Sequence, residues 1–97
     1  MAQPIYKVWT AKYTEAWYQL SDAEKKAHDA SLDEAMKQVG CELVMMISLW
    51  STEDWQACGI EKFPSIEAVQ QYSELLTKMG HYRYFEAKVY LGTEIPL

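Results

Sequence analysis

The chain has 97 residues, 49% of them hydrophobic, and a formal net charge of −5 at pH 7. This length predicts a single domain over residues 1–97 with one core, and the hydrophobic content excludes an intrinsically disordered chain. The acidic balance argues against nucleic acid or an anionic membrane as a partner. The start of the chain shows no signal peptide, and no apolar run approaches the roughly 20 residues that span a bilayer. We therefore expect a cytoplasmic protein without membrane contact.

Two strands and a helix are predicted in the first half of the chain. The segment Ile5–Tyr13 is rich in β-branched and aromatic residues, which favour a strand. A helix is predicted over Ser21–Val39, because a capping box opens it and Gly40, which tolerates a left-handed conformation, follows it. Cys41–Trp50 is apolar on both faces of a predicted strand and therefore needs cover on both sides. A short buried helix is the alternative for this run, since apolar content alone does not separate the two.

The second half predicts a strand, a helix and a final strand. Trp55–Phe63 is the third predicted strand, and the second helix follows over Ser65–Met79 with one apolar stripe along it. Tyr82–Leu91 is the last predicted strand. Its alternation places one set of side chains on one face of the sheet: Tyr82, Tyr84, Glu86, Lys88 and Tyr90. The other set is apolar enough to receive the helices: Arg83, Phe85, Ala87, Val89 and Leu91.

The order β-α-β-β-α-β is that of the ferredoxin-like α+β fold, in which both helices cover one face of a four-stranded antiparallel sheet. The opposite face would then expose the tyrosines of the last strand and one apolar side of Cys41–Trp50, which is more than a monomer usually exposes. The second strand is also a sheet edge in this topology, and an unprotected apolar edge invites pairing. We therefore predict a two-fold homodimer, sheet face against sheet face.

The segments Phe63–Tyr72 (F-P-S-I-E-A-V-Q-Q-Y) and Tyr82–Glu86 (Y-R-Y-F-E), with the length and element order, resemble the dimeric α/β-barrel superfamily. That group includes small antibiotic-biosynthesis monooxygenases, haem-degrading monooxygenases, muconolactone isomerases and EthD-like proteins. Trp17–Lys26 (W-Y-Q-L-S-D-A-E-K-K) is also similar to the uncharacterised darcynin-like proteins. The resemblance implies a dimeric α/β barrel, with cofactor-free oxygenation or haem degradation among its activities. Both activities rely on an asparagine in those families, and this chain has none, which ranks proton-transfer chemistry above them.

Cysteine and metal chemistry are not predicted. If the turn after the second strand is centred on Thr52 and Glu53, Cys58 lies opposite Ile47 and about 20 Å from Cys41, far beyond the reach of a disulfide. Both cysteines are therefore predicted to be reduced. The two histidines are separated in sequence, and no nucleotide-binding, metalloprotease or hydrolase motif is present. We expect no metal and no cofactor.

His28 is the most informative candidate for catalysis. It lies on the predicted sheet-facing side of the first helix, one turn after Glu24, so the carboxylate is placed to orient or charge the imidazole. In a cleft between helix and sheet, His28 would act as a general base near neutral pH. The structural alternative is that Glu24 only completes the capping box and His28 fills space. His81, directly after Gly80, either overhangs a pocket mouth as a third catalytic candidate or caps the preceding helix as a cation.

A set of aromatic side chains and one carboxylate are candidates for lining a pocket that binds a flat apolar ligand. Its members are Tyr6, Trp9, Tyr13, Trp50, Trp55, Tyr84 and Glu86. Glu86 is predicted on the uncovered sheet face, where it would serve proton transfer, form an ion pair with Lys88 or Lys7, or accept a hydrogen bond from a tyrosine hydroxyl. The structural alternative for the aromatic residues is that they only fill the core or an interface.

These features predict a homodimer that binds a hydrophobic or aromatic small molecule, and they leave its enzymatic status open. The first hypothesis is a cofactor-independent isomerase, cyclase or decarboxylase that acts on a small aromatic or polyketide-like acid, with His28 as base. The second is a dimer that binds a hydrophobic small molecule or partner without catalysis. The third is an interaction module whose barrel is fully packed.

Overall fold

An antiparallel sheet with helices on one side is the architecture of this computed structural model, which describes residues 3–97. The strands are β1 (Ile5–Tyr13), β2 (Glu42–Ser48), β3 (Ala57–Phe63) and β4 (Phe85–Gly92). The helices are α1 (Glu15–Tyr18), α2 (Asp22–Val39), α3 (Ile66–Lys78) and α4 (His81–Tyr84). The spatial order β2-β3-β1-β4, with every neighbouring pair antiparallel, confirms the predicted ferredoxin-like α+β fold. Met1 and Ala2, part of the start at which no signal peptide is predicted, lie outside the described residues.

Side-chain caps fix the starts of the two long helices. Ser21 Oγ accepts a hydrogen bond from the backbone N–H of Glu24 at 3.1 Å, and the Glu24 carboxylate accepts one from the N–H of Ser21 at 2.9 Å. This predicted capping box pairs N–H groups that a helix otherwise leaves free. Helix α2 ends at Gly40, whose φ of 74° is left-handed, as predicted. Ser65 Oγ caps α3 through the N–H of Ala68.

Strand β2 is shorter than predicted and carries an irregularity. Its register against β3 shifts between Leu43 and Met45. Leu43 pairs with Glu61 on the helix side of the sheet, whereas Met45 pairs with Ile60 on the opposite side. The regular alternation of a strand would place Leu43 and Met45 on one face, and that expectation is wrong here because a β-bulge inverts the alternation of side chains.

All of β2 is exposed, on both of its faces. The predicted cover on both sides is therefore not supplied by the chain itself. The strand lies at the edge of the sheet, as predicted, and the helices pack over the neighbouring strands instead. The apolar side chains of β2 therefore receive little cover from their own chain.

Strand β4 begins later than predicted, because the one-turn helix α4 precedes it. Gly80 adopts a left-handed φ of 72° between α3 and α4. The backbone N–H of Thr14 donates to the carbonyl of Tyr84 at 3.0 Å and holds α4 against the end of β1. The predicted placement of Tyr82 and Tyr84 on the uncovered face of the sheet is therefore wrong. The ring of Tyr84 packs edge-on against Trp17 on the helix side.

The hydrophobic core lies between α2, α3 and the ends of β1 and β3. Phe63, 0% exposed, is its largest fully buried side chain, and its ring centroid is 5.4 Å from that of Tyr72. The buried members of this cluster are Ala35, Val39, Phe63, Ala68, Val69, Tyr72 and Leu76. Two alanines in the cluster let the helices approach each other closely, so both helices are held over Phe63.

The sheet surface opposite the helices, which we call the bare face, carries an apolar row across all four strands. The register places its members side by side in the order Met45, Ile60, Val8 and Tyr90. Met45 and Tyr90 are 58% and 57% exposed, and Val8 is exposed as well. A contiguous apolar surface of this kind marks an interaction site more often than a free surface.

Among residues 3–97, no helix combines the length and apolar character needed to cross a bilayer. Cys41 and Cys58 are free thiols. Cys58 lies opposite Ile47 across the β2–β3 hairpin, which confirms the predicted register of that turn.

Candidate functional site

The two histidines of the chain meet in the layer between the helices and the sheet, and we call them the histidine pair. His28 lies in α2 on the side that faces the sheet and is 7% exposed. His81 is the first residue of α4, directly after the left-handed Gly80. Nε2 of His28 and Nδ1 of His81 are 3.0 Å apart, which is a hydrogen-bond distance. Two candidates that are distant in sequence therefore form one unit.

The two imidazole rings lie edge to edge. Their planes differ by 6° and their centroids are 5.3 Å apart. Together with the nitrogen–nitrogen distance of 3.0 Å, these values require the rings to lie almost in one plane. The shared proton then points along the lone pair of the accepting nitrogen, which is the favourable geometry for a hydrogen bond.

Aromatic rings surround the histidine pair. The Phe85 ring lies against both imidazoles, with its centroid 4.5 Å from that of His81 and 6.0 Å from that of His28. Trp17 and Tyr84 meet His28 edge-on, at 5.8 and 5.1 Å. These contacts fix the orientation of the His28 ring and keep water from most of its surface.

Burial lowers the pKa of both histidines. The pKa of His81 falls to about 4, first because burial disfavours the charged ring and then because His28 and Lys7 contribute positive charge. Burial also lowers the pKa of His28, and the negative charge of Asp29 offsets only part of that shift. Both rings are therefore neutral at pH 7.

A neutral hydrogen-bonded pair offers a proton acceptor at one end and a proton donor at the other. If His28 donates through Nε2, its Nδ1 is bare and His81 carries a proton on Nε2. In the other tautomer the two outer nitrogens exchange these roles. Acid and base are thus combined in one unit without a buried charge.

Lowering the pH from 6.5 towards 4 is expected to destabilise the wild-type protein more than the double variant His28→Gln, His81→Gln. An unfolded histidine takes up a proton near pH 6.5, whereas folded His81 does so only near pH 4. The stabilisation from the neutral pair is therefore complete above pH 6.5 and is lost progressively as the pH falls through this window. Urea unfolding at several pH values in this window measures the free energy of unfolding. From its slope against pH, unfolding of the wild type should take up more protons than unfolding of the double variant, by up to about one proton. Equal pH slopes would contradict the prediction.

A second polar cluster lies on the same side of the sheet, between β1, β3 and α3. Lys7 and Glu61 are cross-strand partners, with Nζ 3.8 Å from Oε1. Burial raises the pKa of Glu61, although the charge of Lys7 and a hydrogen bond from Tyr72 oppose the shift. Burial, with a contribution from Glu61, also raises the pKa of the Cys41 thiol to about 12. Cys41 is therefore protonated and unreactive at neutral pH.

The structure places three of the seven candidate pocket residues on the helix side of the sheet. Tyr13 stacks on Trp17, with centroids 4.9 Å apart and planes 14° apart. Tyr84 borders the histidine pair. Trp9 lies directly over Gly59, where a side chain of any size would overlap its ring.

The other pocket candidates lie away from the histidine pair. Tyr6 and Glu86 occupy the bare face, where Glu86 pairs with Lys12 at 3.3 Å rather than with the partners predicted for it. Trp50 and Trp55 lie in the loop between β2 and β3, and Trp50 is 91% exposed.

Glu24, the predicted partner of His28, is exposed, and its carboxylate accepts a hydrogen bond from Ser21 in the capping box. The hydrogen-bond partner of His28 is His81 instead. The sequence did not single out Phe85 or the Lys7–Glu61 pair. The sequence does carry a signal for that pair. Lys7 and Glu61 have opposite charges, and they face each other on the helix side of the sheet when β1 and β3 pair.

Within residues 3–97, no group of three or more His, Cys, Asp or Glu side chains is placed to hold a metal ion. Two surface depressions, of about 300 and 280 Å³, lie away from the histidine pair. The first is lined by residues of α3, and the second by Tyr6 of β1 with residues of the two terminal segments.

No protein-family model and no curated protein matches the chain. Solved structures match over nearly the whole chain. A protein of unknown function from Rhodopseudomonas palustris superposes on 100% of this chain and 86% of its own, with a TM-score of 0.68 and 15% identity. A hypothetical protein from Arabidopsis thaliana covers 98% of this chain and 91% of its own, with a TM-score of 0.65 and 11% identity.

A mutant chlorite dismutase from Candidatus Nitrospira defluvii superposes on 100% of this chain with a TM-score of 0.76 and 11% identity. The chain spans only 42% of the length of that enzyme. At these identities the likeness shows the ferredoxin-like fold alone. Membership of a particular dimeric α/β-barrel group stays a prediction.

Proposed function

We propose that this chain is a cytoplasmic homodimer that binds a small aromatic acid between its helices and sheet and moves a proton on it with the histidine pair. The observation that carries the proposal is the in-plane hydrogen bond of 3.0 Å between His28 and His81. A solitary buried histidine most often serves packing, but two neutral imidazoles that share a proton form a path along which a proton can move.

The pair can take up a proton without storing a charge. The bare outer nitrogen accepts a proton from a carbon or oxygen of the ligand, the inner proton crosses the hydrogen bond, and the outer N–H of the second ring releases its proton to water or to another ligand atom. The net change is a shift of one proton, which corresponds to isomerisation or enolisation.

Neutrality at pH 7 suits this role. Burial lowers the pKa of both rings, so a bare nitrogen is present at physiological pH. A buried imidazolium would be unfavourable here, and the relay avoids it because one proton leaves as another enters. Positioned acid–base groups of this kind contribute about 10²–10⁴-fold to a rate.

Proton exchange in D₂O tests the proposal, with phenylpyruvate, an enolisable aromatic acid, and a panel of related 2-oxo and 3-oxo acids as probes. NMR should show protein-dependent loss of the signal from the C–H protons next to the keto group of at least one probe. His28→Gln and His81→Gln should each lower that rate about 100-fold or more. Asp33→Asn, an exposed substitution on the same helix as His28, is the matched control and should leave the rate unchanged.

Two results would count against the relay. One is exchange that persists in both histidine variants. The other is the absence of exchange with every probe, combined with a ¹⁵N spectrum in which the two imidazoles show no coupling through a shared hydrogen bond. The chain has only two histidines, so their signals are assigned directly by the single variants.

Binding without catalysis is the second candidate function. It is favoured by the direct contacts among the aromatic rings, since Tyr13 lies 4.9 Å from both Trp17 and Phe85. Side chains thus occupy part of the layer that a substrate would enter. In that case an aromatic acid should bind to the wild-type protein, and no probe should exchange its proton.

The homodimer in the proposal rests on the bare face. Its apolar row runs across all four strands, and a second copy of the same surface is self-complementary under two-fold symmetry. The edge strand β2 adds further exposed apolar side chains to this surface. A second sheet would remove them from water.

A further inference from the structure

The Lys7–Glu61 pair is an incomplete ion pair. The two residues face each other across β1 and β3, and their side chains are 13% and 8% exposed. The separation of 3.8 Å between Nζ and Oε1 is too long for a hydrogen bond. A buried charge normally has close partners, because desolvation is costly without them.

The ammonium group of Lys7 retains donors for a further partner. It has three N–H groups, and among residues 3–97 none of them donates a hydrogen bond. Its other neighbour is the ring of Tyr72, whose centroid is 5.2 Å from Nζ. Tyr72 also lies near Glu61, and its hydroxyl lowers the pKa of that carboxyl. Thr10 Oγ1 is the buried side-chain atom without a partner among residues 3–97, and Lys7 Nζ is not, so water reaches the ammonium group and an anion can replace that water.

Lys7 and the histidine pair lie in the same layer of the molecule. Both lie on the helix side of the sheet, and the positive charge of Lys7 acts on His81. Trp9 follows Lys7 on the same face of β1, with its indole lying over Gly59. A cation, a flat apolar surface and an acid–base pair thus lie within one layer.

We propose that Lys7 binds the carboxylate of the ligand, so that the ligands of this protein are small aromatic carboxylic acids held between Lys7 and the histidine pair. This assignment deepens the proposed function and rests on it for the location of the reacting atom. A carboxylate completes the hydrogen bonding of the ammonium group, and a charge-assisted contact of this kind is about twice as strong as a neutral one. The protein carries a net charge of −5, so a local cation is needed to attract an acid.

Benzoate titration followed by NMR of ¹⁵N-labelled protein tests this assignment. Wild-type protein should show saturable shifts at residues around Lys7 and Trp9. Lys7→Met should weaken benzoate binding by about 10-fold to 100-fold, which is the loss expected for a hydrogen bond to a charged group. Lys62→Met removes a lysine from the opposite face of the sheet and should leave the affinity unchanged. Benzamide, which has the same ring without the charge, should bind more weakly than benzoate to the wild type and equally to all three proteins.

Two further variants separate binding from folding. Lys7→Arg keeps the charge and should retain most of the affinity for benzoate. If Lys7→Met alone fails to fold, the double variant Lys7→Met, Glu61→Gln removes both charges together and should fold. This double variant should bind benzoate and benzamide with equal affinity. The assignment would be overturned if the wild type does not bind benzoate, or if Lys7→Met binds benzoate with the affinity of the wild type.

The histidine variants separate this assignment from the proton relay. His28→Gln and His81→Gln should abolish exchange but should still bind benzoate more tightly than benzamide, because Lys7 is unaffected. Loss of the relay with benzoate binding intact would remove only the proposed catalysis. Loss of benzoate binding in Lys7→Met alone would support Lys7 as the residue that binds the carboxylate, whether or not the proton relay operates.

Discussion

Phe63→Ala is expected to lower the free energy of unfolding by about 3–5 kcal/mol, the range found for buried aromatic residues. Phe63 is 0% exposed, and its ring contacts Tyr72 at the centre of the cluster that joins α2 and α3 to the sheet. Truncation leaves a cavity that closely packed neighbours do not fill. For a domain of this size the loss is a large part of the total stability.

Urea unfolding followed by tryptophan fluorescence measures this loss. Ile66→Ala is a suitable control, because Ile66 is exposed at the start of α3 and its truncation should cost about 1 kcal/mol or less. Similar losses in the two variants would show that the core does not depend on Phe63.

Ile60→Glu is expected to convert the proposed dimer into a monomer. Ile60 lies in the middle of the apolar row on the bare face, between Met45 and Val8. A carboxylate at this position would lose its hydration when two sheets meet, and this costs several kcal/mol in each subunit. The wild type should sediment at twice the chain mass of 11.3 kDa, and the variant at the chain mass itself.

The same substitution at another exposed isoleucine controls for the added charge. Ile66 lies on α3, away from the bare face, so Ile66→Glu should leave the dimer intact. A wild-type protein that sediments as a monomer at micromolar concentration would end the dimer proposal. A dimer that survives Ile60→Glu would move the interface to another surface.

The sequence predicted the order of the main elements because their ends carry strong local signals. Ser21 and Glu24 form the capping box, and Gly40 takes the left-handed conformation that ends α2. The bulge in β2 had no such signal, since a strand that is apolar on both sides has no alternation from which to read its register. Tyr82 and Tyr84 were misplaced for a similar reason, because a single helical turn is too short to show a periodicity.

The candidate site was only half predictable. His28 was predicted because it belongs to a long helix, in which the spacing between residues determines the face on which each side chain lies. Its pairing with His81 depends on the left-handed Gly80 and on the turn that follows it, which join residues 53 positions apart. The Phe85 ring lies against this pair only because β4 starts there and not earlier. Tertiary placement of this kind is not encoded in any local pattern.

The bulge between Leu43 and Met45 also bears on how the protein avoids aggregation. An outermost strand with a regular row of free N–H and C=O groups templates the addition of further strands, which leads to fibrils. A bulge interrupts that row and increases the local twist, so a foreign strand cannot align along it. The protein can thus keep an apolar sheet surface for a closed dimer and still resist open-ended polymerisation.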